Sequence, residues 1–559
     1  MKLILVNLYP DETMARYLLS SYVLKAYLDK VFDDGELVID VLNFSANAET
    51  VKVCAEIKKG KPDYVGYSCY TWNIEKVLKL VESLKKNSDF IHILGGPEIS
   101  LKRIASLPAP DLADYYAIGE GERVLVHLLQ YLRLKYENKW TKTDSSLLSG
   151  KGAGRECCGA ILKTELPKRV AYWDGSKIVY AEDAEKITDL DEIPSVYLTG
   201  TLDDRLYARQ QAFLETQRGC KLRCRYCVYH KDLPSISYYS LKRIFDELDH
   251  LILKKQVRAL RIFDAIFTSD LPRAKKIVQH LRELKENGIL LSWIYWEFTY
   301  NLVDEEFIRL VSSLKNRVRI LNSSDISPLD RPQHYSELLK DYTAINCIGI
   351  QSFHRQSLKA VGRPGLNIEK FKAFMKMARE YNIALKIDLI LGLPFETFDS
   401  YFTGLEFFLP FFKDTDHILN IHRLQILPGS DLEVLCDRYG IKYSRQAPHL
   451  VSSTSCLSRQ EFNHTSRLTA ILFRILNSPL RGDFFDAKER IGASFYCLTE
   501  SIFNAINSSG GFTETQLVQG DLVDDVYWNN EIYKEIPSEW LLAFLRNTFK
   551  GNKHAGTRC

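Results

Sequence analysis

Residues 220–227 read Cys220-Lys-Leu-Arg-Cys224-Arg-Tyr-Cys227 and bring three of the chain's 12 cysteines into one short loop. The other nine are scattered, which does not suit a disulfide framework and favours metal binding in a reducing compartment. Three thiolates at CxxxCxxC spacing can bind three irons of a cubane cluster and leave the fourth iron open. Structural zinc is the alternative, but it requires four protein ligands, and neither His230 nor the distant cysteines give a regular fourth position.

Size and charge narrow the class of protein. At 559 residues the chain is too long to form one hydrophobic core, and the usual size of domains predicts roughly three or four domains. The 74 basic and 71 acidic side chains are spread along the chain, so no nucleic acid partner is expected. The N-terminal run MKLILVNLYPDET lacks the features of a secretory signal, and no apolar stretch approaches the roughly 18 residues of a membrane span. We therefore expect a cytoplasmic protein without a membrane partner.

Two series of alternating strand and helix patterns predict an α/β protein. In residues 1–137 the strand-like runs KLILVNL, LVIDVLNF, DYVGYS, IHIL and YYAIG predict a doubly wound, Rossmann-like sheet. Residues 138–212 are interpreted as a linker with short strands. In residues 213–430 the runs AFLETQ, ALRIFD, LSWIYW, CIGIQS, LKIDLILG and ILNIHRLQIL predict a partial (β/α)6 barrel. Residues 431–559 are predicted to be mainly helical and are a candidate substrate-binding region.

The cysteine loop resembles the motif of the radical S-adenosylmethionine (SAM) superfamily, which is CxxxCxφC with an aromatic residue at φ. Tyr226 satisfies that position. The resemblance implies a [4Fe-4S] cluster bound by Cys220, Cys224 and Cys227, with the open iron chelating the amino and carboxylate groups of SAM. An electron from the cluster would then cleave SAM to a 5'-deoxyadenosyl radical.

Segments behind the cysteine loop resemble the SAM-contacting segments of the coproporphyrinogen dehydrogenase-like branch of this superfamily. They are WEFTYNLVDEE, IGIQSFHRQSLKAVGR and DLILGLPFET, and each falls at the end of a predicted strand. Taken singly, a Gly-Leu-Pro turn or one glutamine is typical of ordinary loops, and the order behind the cysteines carries the prediction. The resemblance implies SAM contacts by Tyr226, Glu297, Gln351, Ser352, Gly392, Leu393 and Pro394.

The sequence departs from that branch at one position. The Gly-Gly-Glu turn common after the second strand is absent, and Asp264 in RIFDAIF occupies its place. Asp264 is therefore the candidate for the contact with the SAM amino group.

Three loops of the first series resemble the cobalamin-binding domain that precedes the radical SAM core in one large branch of the superfamily. They read SCYTW, GGPE and GEGE, and each follows a strand end. Glycine there lets the backbone approach a flat macrocycle, although such glycines are also typical of any doubly wound domain. The resemblance implies cobalamin contacts by Ser68, Cys69, Tyr70, Thr71, Trp72, Gly95, Gly96, Pro97, Glu98, Gly119, Glu120, Gly121 and Glu122.

The form of the bound cobalamin follows from a missing motif. A methionine-synthase-type domain carries DxHxxG, whose histidine binds cobalt from below, and this motif is absent. The histidines of residues 1–137 are His92, in a strand, and His127, on an apolar-rich helix, and both are predicted to be structural. Cobalamin is thus expected base-off and without a histidine ligand, with Tyr70 or Cys69 near its lower face.

Together the resemblances imply a cobalamin-dependent radical SAM enzyme. The first hypothesis is a methyltransferase that acts on an unactivated carbon through methylcobalamin and a 5'-deoxyadenosyl radical. A second is a rearrangement, cyclisation or oxidation without methylation, and a third is a non-catalytic iron-sulfur or cobalamin sensor. Expected partners are a small-molecule or peptide substrate and a reductant such as flavodoxin or ferredoxin. No catalytic acid or base is identified.

Overall fold

The computed structural model describes residues 1–10, 17–32, 35–107, 109–144, 166–181, 187–202, 204, 206, 211–229, 235–289, 291–315, 344–508 and 538–547. The chain divides into two compact units, the first comprising Met1–Glu12 and Arg16–Asp203 and the second mainly Asp204–Cys559. His230 and residues 145–165 of the predicted linker lie outside the described residues. The sequence-based domain limits at 137, 212 and 430 stay predictions.

The first unit contains a seven-stranded sheet. Its strands are β1 (Lys2–Tyr9), β2 (Val38–Ser45), β3 (Tyr64–Ser68), β4 (Ile91–Gly95), β5 (Tyr115–Ala117), β6 (Val170–Trp173) and β7 (Ile178–Tyr180), in the order β2-β1-β3-β4-β5-β6-β7. The first five are parallel, as the alternating pattern predicts, and β6 and β7 add an antiparallel edge. These two strands come from the range interpreted as a linker.

Helices cover the parallel part of this sheet. They are α1 (Leu19–Val31), α2 (Thr50–Lys59), α3 (Ile74–Lys85), α4 (Leu101–Ser106) and α5 (Gly121–Asp144), with a 3-10 turn at Leu190–Glu192. Helix α3 shows why the apolar periodicity predicts a helix. Its apolar residues recur at helical spacing and are all buried, namely Ile74, Val77, Val81 and Leu84. The doubly wound fold of the first series is confirmed.

The second unit contains a six-stranded parallel sheet with the strand order of a partial barrel. Its strands are β8 (Gln211–Leu214), β11 (Ala259–Ile262), β12 (Trp293–Phe298), β13 (Ala344–Gln351), β14 (Leu385–Leu391) and β15 (Ile418–Arg423), adjacent in that order. Two small antiparallel pairs are β9 (Gln217–Arg218) with β10 (Ser237–Tyr238), and β16 (Lys442–Tyr443) with β17 (Val451–Ser453). The six predicted barrel strands are therefore confirmed.

Helices alternate with the barrel strands and then dominate the C-terminal region. They are α6 (Leu241–Asp249), α7 (Leu271–Glu286), α8 (Glu305–Ser313), α9 (Arg355–Ala360), α10 (Ile368–Glu380), α11 (Phe398–Phe408), α12 (Asp431–Val434), α13 (Arg459–Leu476), α14 (Arg481–Ile491), α15 (Phe495–Ser508) and α16 (Ser538–Asn547). A π-helical turn at His250–Lys254 and 3-10 turns at Phe267–Ser269, Tyr300–Leu302 and Leu409–Phe412 complete them. Among the described helices, none has the length and apolar character needed to cross a membrane.

The floor of the barrel is closed by apolar packing. A buried cluster there comprises Ala259, Trp293, Tyr295, Cys347, Ala384 and Ile418, with Phe473 of α13 packed against it. The strand residues of this cluster occupy the first or middle positions of their strands, and Ala384 directly precedes β14. The open end is consequently the edge where the strands terminate, which is where parallel α/β sheets bind ligands.

Candidate functional site

The three cysteines of the motif lie in one loop between β9 and β10. Gly219 begins this loop with a φ of +102°, and a Cβ there would lie 2.7 Å from the carbonyl oxygen of Ser235. A side chain at this position would therefore force the strands apart at the point where the cysteine loop begins. Cys224 is buried, whereas Cys220 and Cys227 are half-buried.

Every motif cysteine accepts an N–H hydrogen bond at its sulfur. The donors are the backbone N–H of Leu222 to Cys220, Nη1 of Arg363 to Cys224 at 3.5 Å, and the backbone N–H of Tyr229 to Cys227 at 3.3 Å. Such donors stabilise negative charge on sulfur, so the donor set fits the thiolates of a cluster. Burial raises the pKa of Cys220 and raises that of Cys227 to about 11, so a bound metal must supply the charge that deprotonates them.

The position of the cysteine loop is fixed by elements distant in sequence. The backbone N–H of Arg225 donates to Val361 O at 2.9 Å, and its Nη1 donates to Ala360 O at 2.9 Å, at the end of α9. The Arg225 carbonyl accepts from the N–H of Leu432 in α12 at 2.7 Å.

Among the described residues, no three Cys, His, Asp or Glu side chains are grouped as ligands of a single metal ion.

Both carboxylate oxygens of Asp264 accept hydrogen bonds from residues just before the cysteine loop. Its Oδ1 accepts from the backbone N–H of Thr216 at 2.8 Å and of Gln217 at 3.2 Å, and its Oδ2 accepts from the Thr216 hydroxyl. Burial raises the pKa of Asp264 to about 7. In this arrangement Asp264 orients the entry to the cysteine loop, and both oxygens already have partners, which does not favour the expected contact with SAM.

Glu297, in contrast, lies at the open end of the barrel. Its side chain is exposed on β12, and its Oε1 accepts a hydrogen bond from the Tyr295 hydroxyl at 2.9 Å. The packed barrel wall around the carboxyl group partly desolvates it, and this desolvation raises the pKa of Glu297. The nearby Asp388 carboxylate raises that pKa further. Glu297 can therefore accept a hydrogen bond from a cationic ligand group.

The inner wall of the barrel also contains polar residues that were not identified from the sequence. The Cys347 thiol donates to Asp388 Oδ2 at 3.1 Å, and Asn420 Nδ2 donates to Asp388 Oδ1 at 2.8 Å. His422 Nε2 lies 2.7 Å from Asn420 Nδ2. Burial opposes ionisation of Asp388, but Lys386 and these partners hold its pKa below the usual range. The sequence signal was the alternation of polar residues inside LKIDLIL and ILNIHR.

Gln351 ends β13 in an unusual conformation. Its φ is +71°, which only glycine adopts readily, and the ladder with β14 shifts register between Gly349 and Gln351. The side-chain amide folds back, so that a Cβ at Gly349 would lie 2.2 Å from Gln351 Nε2. Gly349 is thus required for the orientation of the predicted SAM contact.

We expect Gly349→Ala to weaken SAM binding at least about tenfold, because the added methyl group displaces the Gln351 amide. Equilibrium dialysis of the anaerobic, cluster-loaded protein would measure this affinity. Gly365→Ala is the matched control, since its Cβ would meet no atom nearer than Arg355 Cγ at 4.0 Å. Equal SAM affinity in the two variants would contradict the role of Gln351.

The segments containing Ser352 and the Gly-Leu-Pro turn are joined directly. The Ser352 hydroxyl donates to Glu396 Oε1 at 2.5 Å, and the Ser357 hydroxyl donates to Pro394 O at 2.7 Å. Leu393 is fully buried, and Gly392 has a φ of +94°. A ligand at this turn would therefore contact its backbone, which the Ser357 bond and the buried Glu396 hold in place.

The Phe462 ring of α13 covers the Gly-Leu-Pro turn, with an atom 2.5 Å from the position of a Gly392 Cβ. A larger residue at Gly392 would therefore displace either the ring or the turn.

The Glu396 carboxyl predicts a pH dependence of stability. Burial raises its pKa to about 8, so the folded state keeps a proton that the unfolded chain releases above about pH 4.3. Its stabilising contribution is therefore full at low pH and is lost as the pH rises to 8, by up to about 1.4 kcal/mol per pH unit. We expect Glu396→Gln to flatten this decline in the free energy of unfolding, measured by denaturant titration from pH 5 to 8. The exposed Asp399→Asn should leave the decline unchanged.

In the first unit, two of the predicted cobalamin loops contact each other. The backbone N–H of Cys69 donates to Gly95 O at 2.7 Å, and the N–H of Glu98 donates to Cys69 O at 3.2 Å. The Thr71 hydroxyl donates to the buried Glu98 carboxylate at 3.1 Å. Gly96, with a φ of +106°, lets the two backbones approach, since its Cβ would lie 2.6 Å from Cys69 O.

The side chains of the first loop separate into buried and exposed groups. The Cys69 thiol is fully buried and donates to Tyr67 O, so it points away from any ligand. Trp72 is 42% exposed and stacks on Tyr70 with ring centroids 4.4 Å apart. The Ser68 hydroxyl lies 3.2 Å from that of Ser21 in α1. Tyr70 and Trp72 therefore form the flat apolar surface at this edge.

The remaining predicted contacts lie at the ends of β4 and β5. Pro97 is exposed, and Gly119 has a φ of +87° with the Arg169 guanidinium 2.8 Å from the position of its Cβ. Glu120 is half-buried and Glu122 is buried, while Gly121 begins α5. The backbone of this segment follows the strand next to β4, with Gly95 paired to Ala117.

His92 has the surroundings of a structural residue. It is fully buried, its Nδ1 lies 3.2 Å from the Tyr67 hydroxyl, and burial lowers its pKa to about 4. His127 is exposed on α5.

A cysteine loop of this spacing at a six-stranded parallel barrel, on a chain that also carries a doubly wound sheet, defines a radical SAM protein with a cobalamin-binding type of domain. Residues 22–129 match the B12 binding domain family, and residues 214–403 match the Radical SAM superfamily. The chain therefore combines a B12-binding domain with a radical SAM domain.

Individual relatives agree with this assignment. The chain is 24% identical over 449 residues to "Cobalamin-dependent radical SAM methyltransferase TokK" of Streptomyces tokunonensis, covering 78% of this chain and 57% of TokK. It is 23% identical over 366 residues to "Anaerobic magnesium-protoporphyrin IX monomethyl ester cyclase" of Rubrivivax gelatinosus, covering 64% and 60% of the two chains. The chain thus spans less than two thirds of either relative.

The fold also matches that of the cobalamin-dependent SAM radical enzyme OxsB, solved with aqua-cobalamin and SAM bound. The TM-score is 0.56 at 15% identity, and the match covers 93% of this chain and 74% of OxsB. At this identity the likeness concerns the fold.

Proposed function

We propose that this chain is a methyltransferase that transfers a methyl group from SAM to an unactivated carbon of a small molecule. The observation that supports this most directly is the match to TokK, which extends over 449 residues and therefore through both units. When bound, the cluster supplies the electron that cleaves SAM, and cobalamin supplies the carrier of the methyl group.

The residues of the barrel bind and orient SAM. Glu297 would accept a hydrogen bond from the SAM amino group, Gln351 would provide an amide at the end of β13, and the backbone of the Gly-Leu-Pro turn would contact SAM. Asp264 acts through Thr216 and the entry to the cysteine loop. No described side chain has to transfer a proton in this scheme, because positioning and exclusion of water are the protein's contribution.

The first unit binds cobalamin in the base-off form and without a histidine ligand. Two observations support this proposal: His92 is buried against Tyr67, and His127 is exposed on α5 outside the three loops. The stacked pair of Tyr70 and Trp72 is the surface available for the lower face of the corrin. Of the two neighbours expected from the sequence, the geometry favours Tyr70 over Cys69.

A non-methylating activity is the second candidate, because the chain also matches the anaerobic cyclase of Rubrivivax gelatinosus over 64% of its length. Such an enzyme would cleave SAM reductively but would not release S-adenosylhomocysteine.

We also propose that a low-potential reductant such as flavodoxin or ferredoxin supplies electrons to the protein, and that the protein is located in the cytoplasm.

The test uses full-length protein purified without oxygen and supplied with iron, sulfide and hydroxocobalamin. The protein is incubated with SAM and titanium(III) citrate, and S-adenosylhomocysteine and 5'-deoxyadenosine are quantified. We expect cobalamin-dependent release of S-adenosylhomocysteine, about one per bound cobalamin in the first turnover. Deoxyadenosine without S-adenosylhomocysteine would favour the non-methylating candidate, and absence of both products would refute an enzymatic function.

A further inference from the structure

Arg363 is placed against the cysteine loop by the turn that follows α9. Its backbone N–H donates to Leu358 O at 2.8 Å, and Gly362 before it has a φ of +72°. A Cβ at Gly362 would lie 3.1 Å from the carbonyl oxygen of Arg223, so the turn and the cysteine loop are packed backbone to backbone. The backbone of Arg363 is therefore held in place, and its side chain extends from there to the cysteine loop.

The guanidinium makes three hydrogen bonds. Nη1 donates to Cys224 Sγ at 3.5 Å and to the Tyr226 hydroxyl at 3.2 Å, while Nη2 donates to Gly349 O at 2.6 Å. One side chain thus joins a cluster cysteine, the aromatic residue of the motif and strand β13. Arg is suited to this because its planar fork holds several acceptors in one geometry.

Among the described residues, no carboxylate forms an ion pair with Arg363, and the groups that interact with its charge are Tyr226 and Cys224. A half-buried cation without an anion is costly, and the sulfur of Cys224 is the group that it faces. The site therefore provides a positive charge for a cysteine that becomes anionic when it binds iron.

We propose that Arg363 is a positioning residue that raises the reduction potential of the [4Fe-4S] cluster and holds Tyr226 in place. Reduction adds one negative charge to the cluster, and a cationic N–H···S donor stabilises the more negative state more strongly. Removing the donor therefore makes the cluster harder to reduce. This inference depends on the cluster and not on the proposed methyl transfer.

The experiment is a potentiometric titration of the full-length, iron-loaded protein without SAM or cobalamin, followed by the EPR signal of the reduced cluster. At the wild-type midpoint potential, we expect Arg363→Met to have at least a tenfold lower ratio of reduced to oxidised cluster, equivalent to about 59 mV for a one-electron couple. Arg363→Lys keeps the charge but loses the fork, so it should fall between wild type and Arg363→Met. Iron content is measured in every variant.

Two controls separate the hydrogen bond from charge and from folding. Arg225→Met removes a neighbouring cation whose guanidinium donates to Ala360 O and not to a sulfur, and it should shift the potential less. The exposed Arg355→Met should leave the potential unchanged. Should Arg363→Met fail to hold iron, Arg363→Lys provides the comparison. Equal potentials in wild type and the iron-loaded Arg363 variants, or equal shifts in Arg363→Met and Arg225→Met, would overturn the proposal.

Discussion

Replacing Cys220, Cys224 and Cys227 together with alanine should abolish iron binding and the reductive cleavage of SAM. Wild-type protein reconstituted without oxygen should contain about four irons per chain, and the variant essentially none. The effect should be complete because each thiolate would bind a different iron and the variant keeps none of the three. Iron analysis and quantification of 5'-deoxyadenosine measure the two losses.

The matched control changes three cysteines outside the loop. Cys54, Cys456 and Cys497 are half-buried like two of the motif cysteines, and replacing them with alanine removes the same number of thiols. This control should retain wild-type iron content and SAM cleavage. Iron retained at wild-type levels in the motif variant would show that the cluster is bound elsewhere.

The elements of the fold could be predicted because their periodicity is local. The run KLILVNL is apolar nearly throughout, as a strand buried on both faces must be, and its residues after Lys2 are buried in β1. Helix α3 and the barrel strands carry similarly clear patterns. By contrast, β6 and β7 are short and follow a segment without periodicity, so their pairing at the edge of the first sheet had no sequence signal.

The three cysteines proposed to bind the cluster stand out in the sequence because of their spacing, whereas the groups around them do not. Arg363 is 139 residues from Cys224 in sequence, and only the barrel brings them together. Arg363 lies within IGIQSFHRQSLKAVGR, which resembles a SAM-contacting segment, but a single arginine there has no local sequence signal. Asp264 shows the converse, since its place in the order of strands suggested a ligand while the fold uses both oxygens to orient Thr216 and Gln217.

Valine at Gly96 should abolish the retention of cobalamin while leaving the cluster intact. The φ of +106° is strongly unfavourable for a β-branched residue, and the added Cβ would lie 2.6 Å from Cys69 O and 2.9 Å from Cys69 N. Because both contacts are backbone atoms, the two loops must separate, which breaks the bonds from Cys69 to Gly95 and from Glu98 to Cys69. The edge of the sheet that is proposed to bind the corrin then loses its shape.

Retained cobalamin would be quantified from the visible spectrum after removal of unbound material, with iron content measured in the same sample. Gly175→Val is the matched control, because Gly175 also has a φ near +100° in the same unit but no atom within 4 Å of its Cβ. That control carries the backbone strain, on the order of 1–3 kcal/mol, without the collision between loops. Cobalamin lost in Gly96→Val and kept in Gly175→Val would locate the binding surface at these loops. If Gly96→Val retained as much cobalamin as Gly175→Val, these loops would not be the binding surface. The collision at Gly96 must change the conformation of both loops, and the proposed contact depends on that conformation.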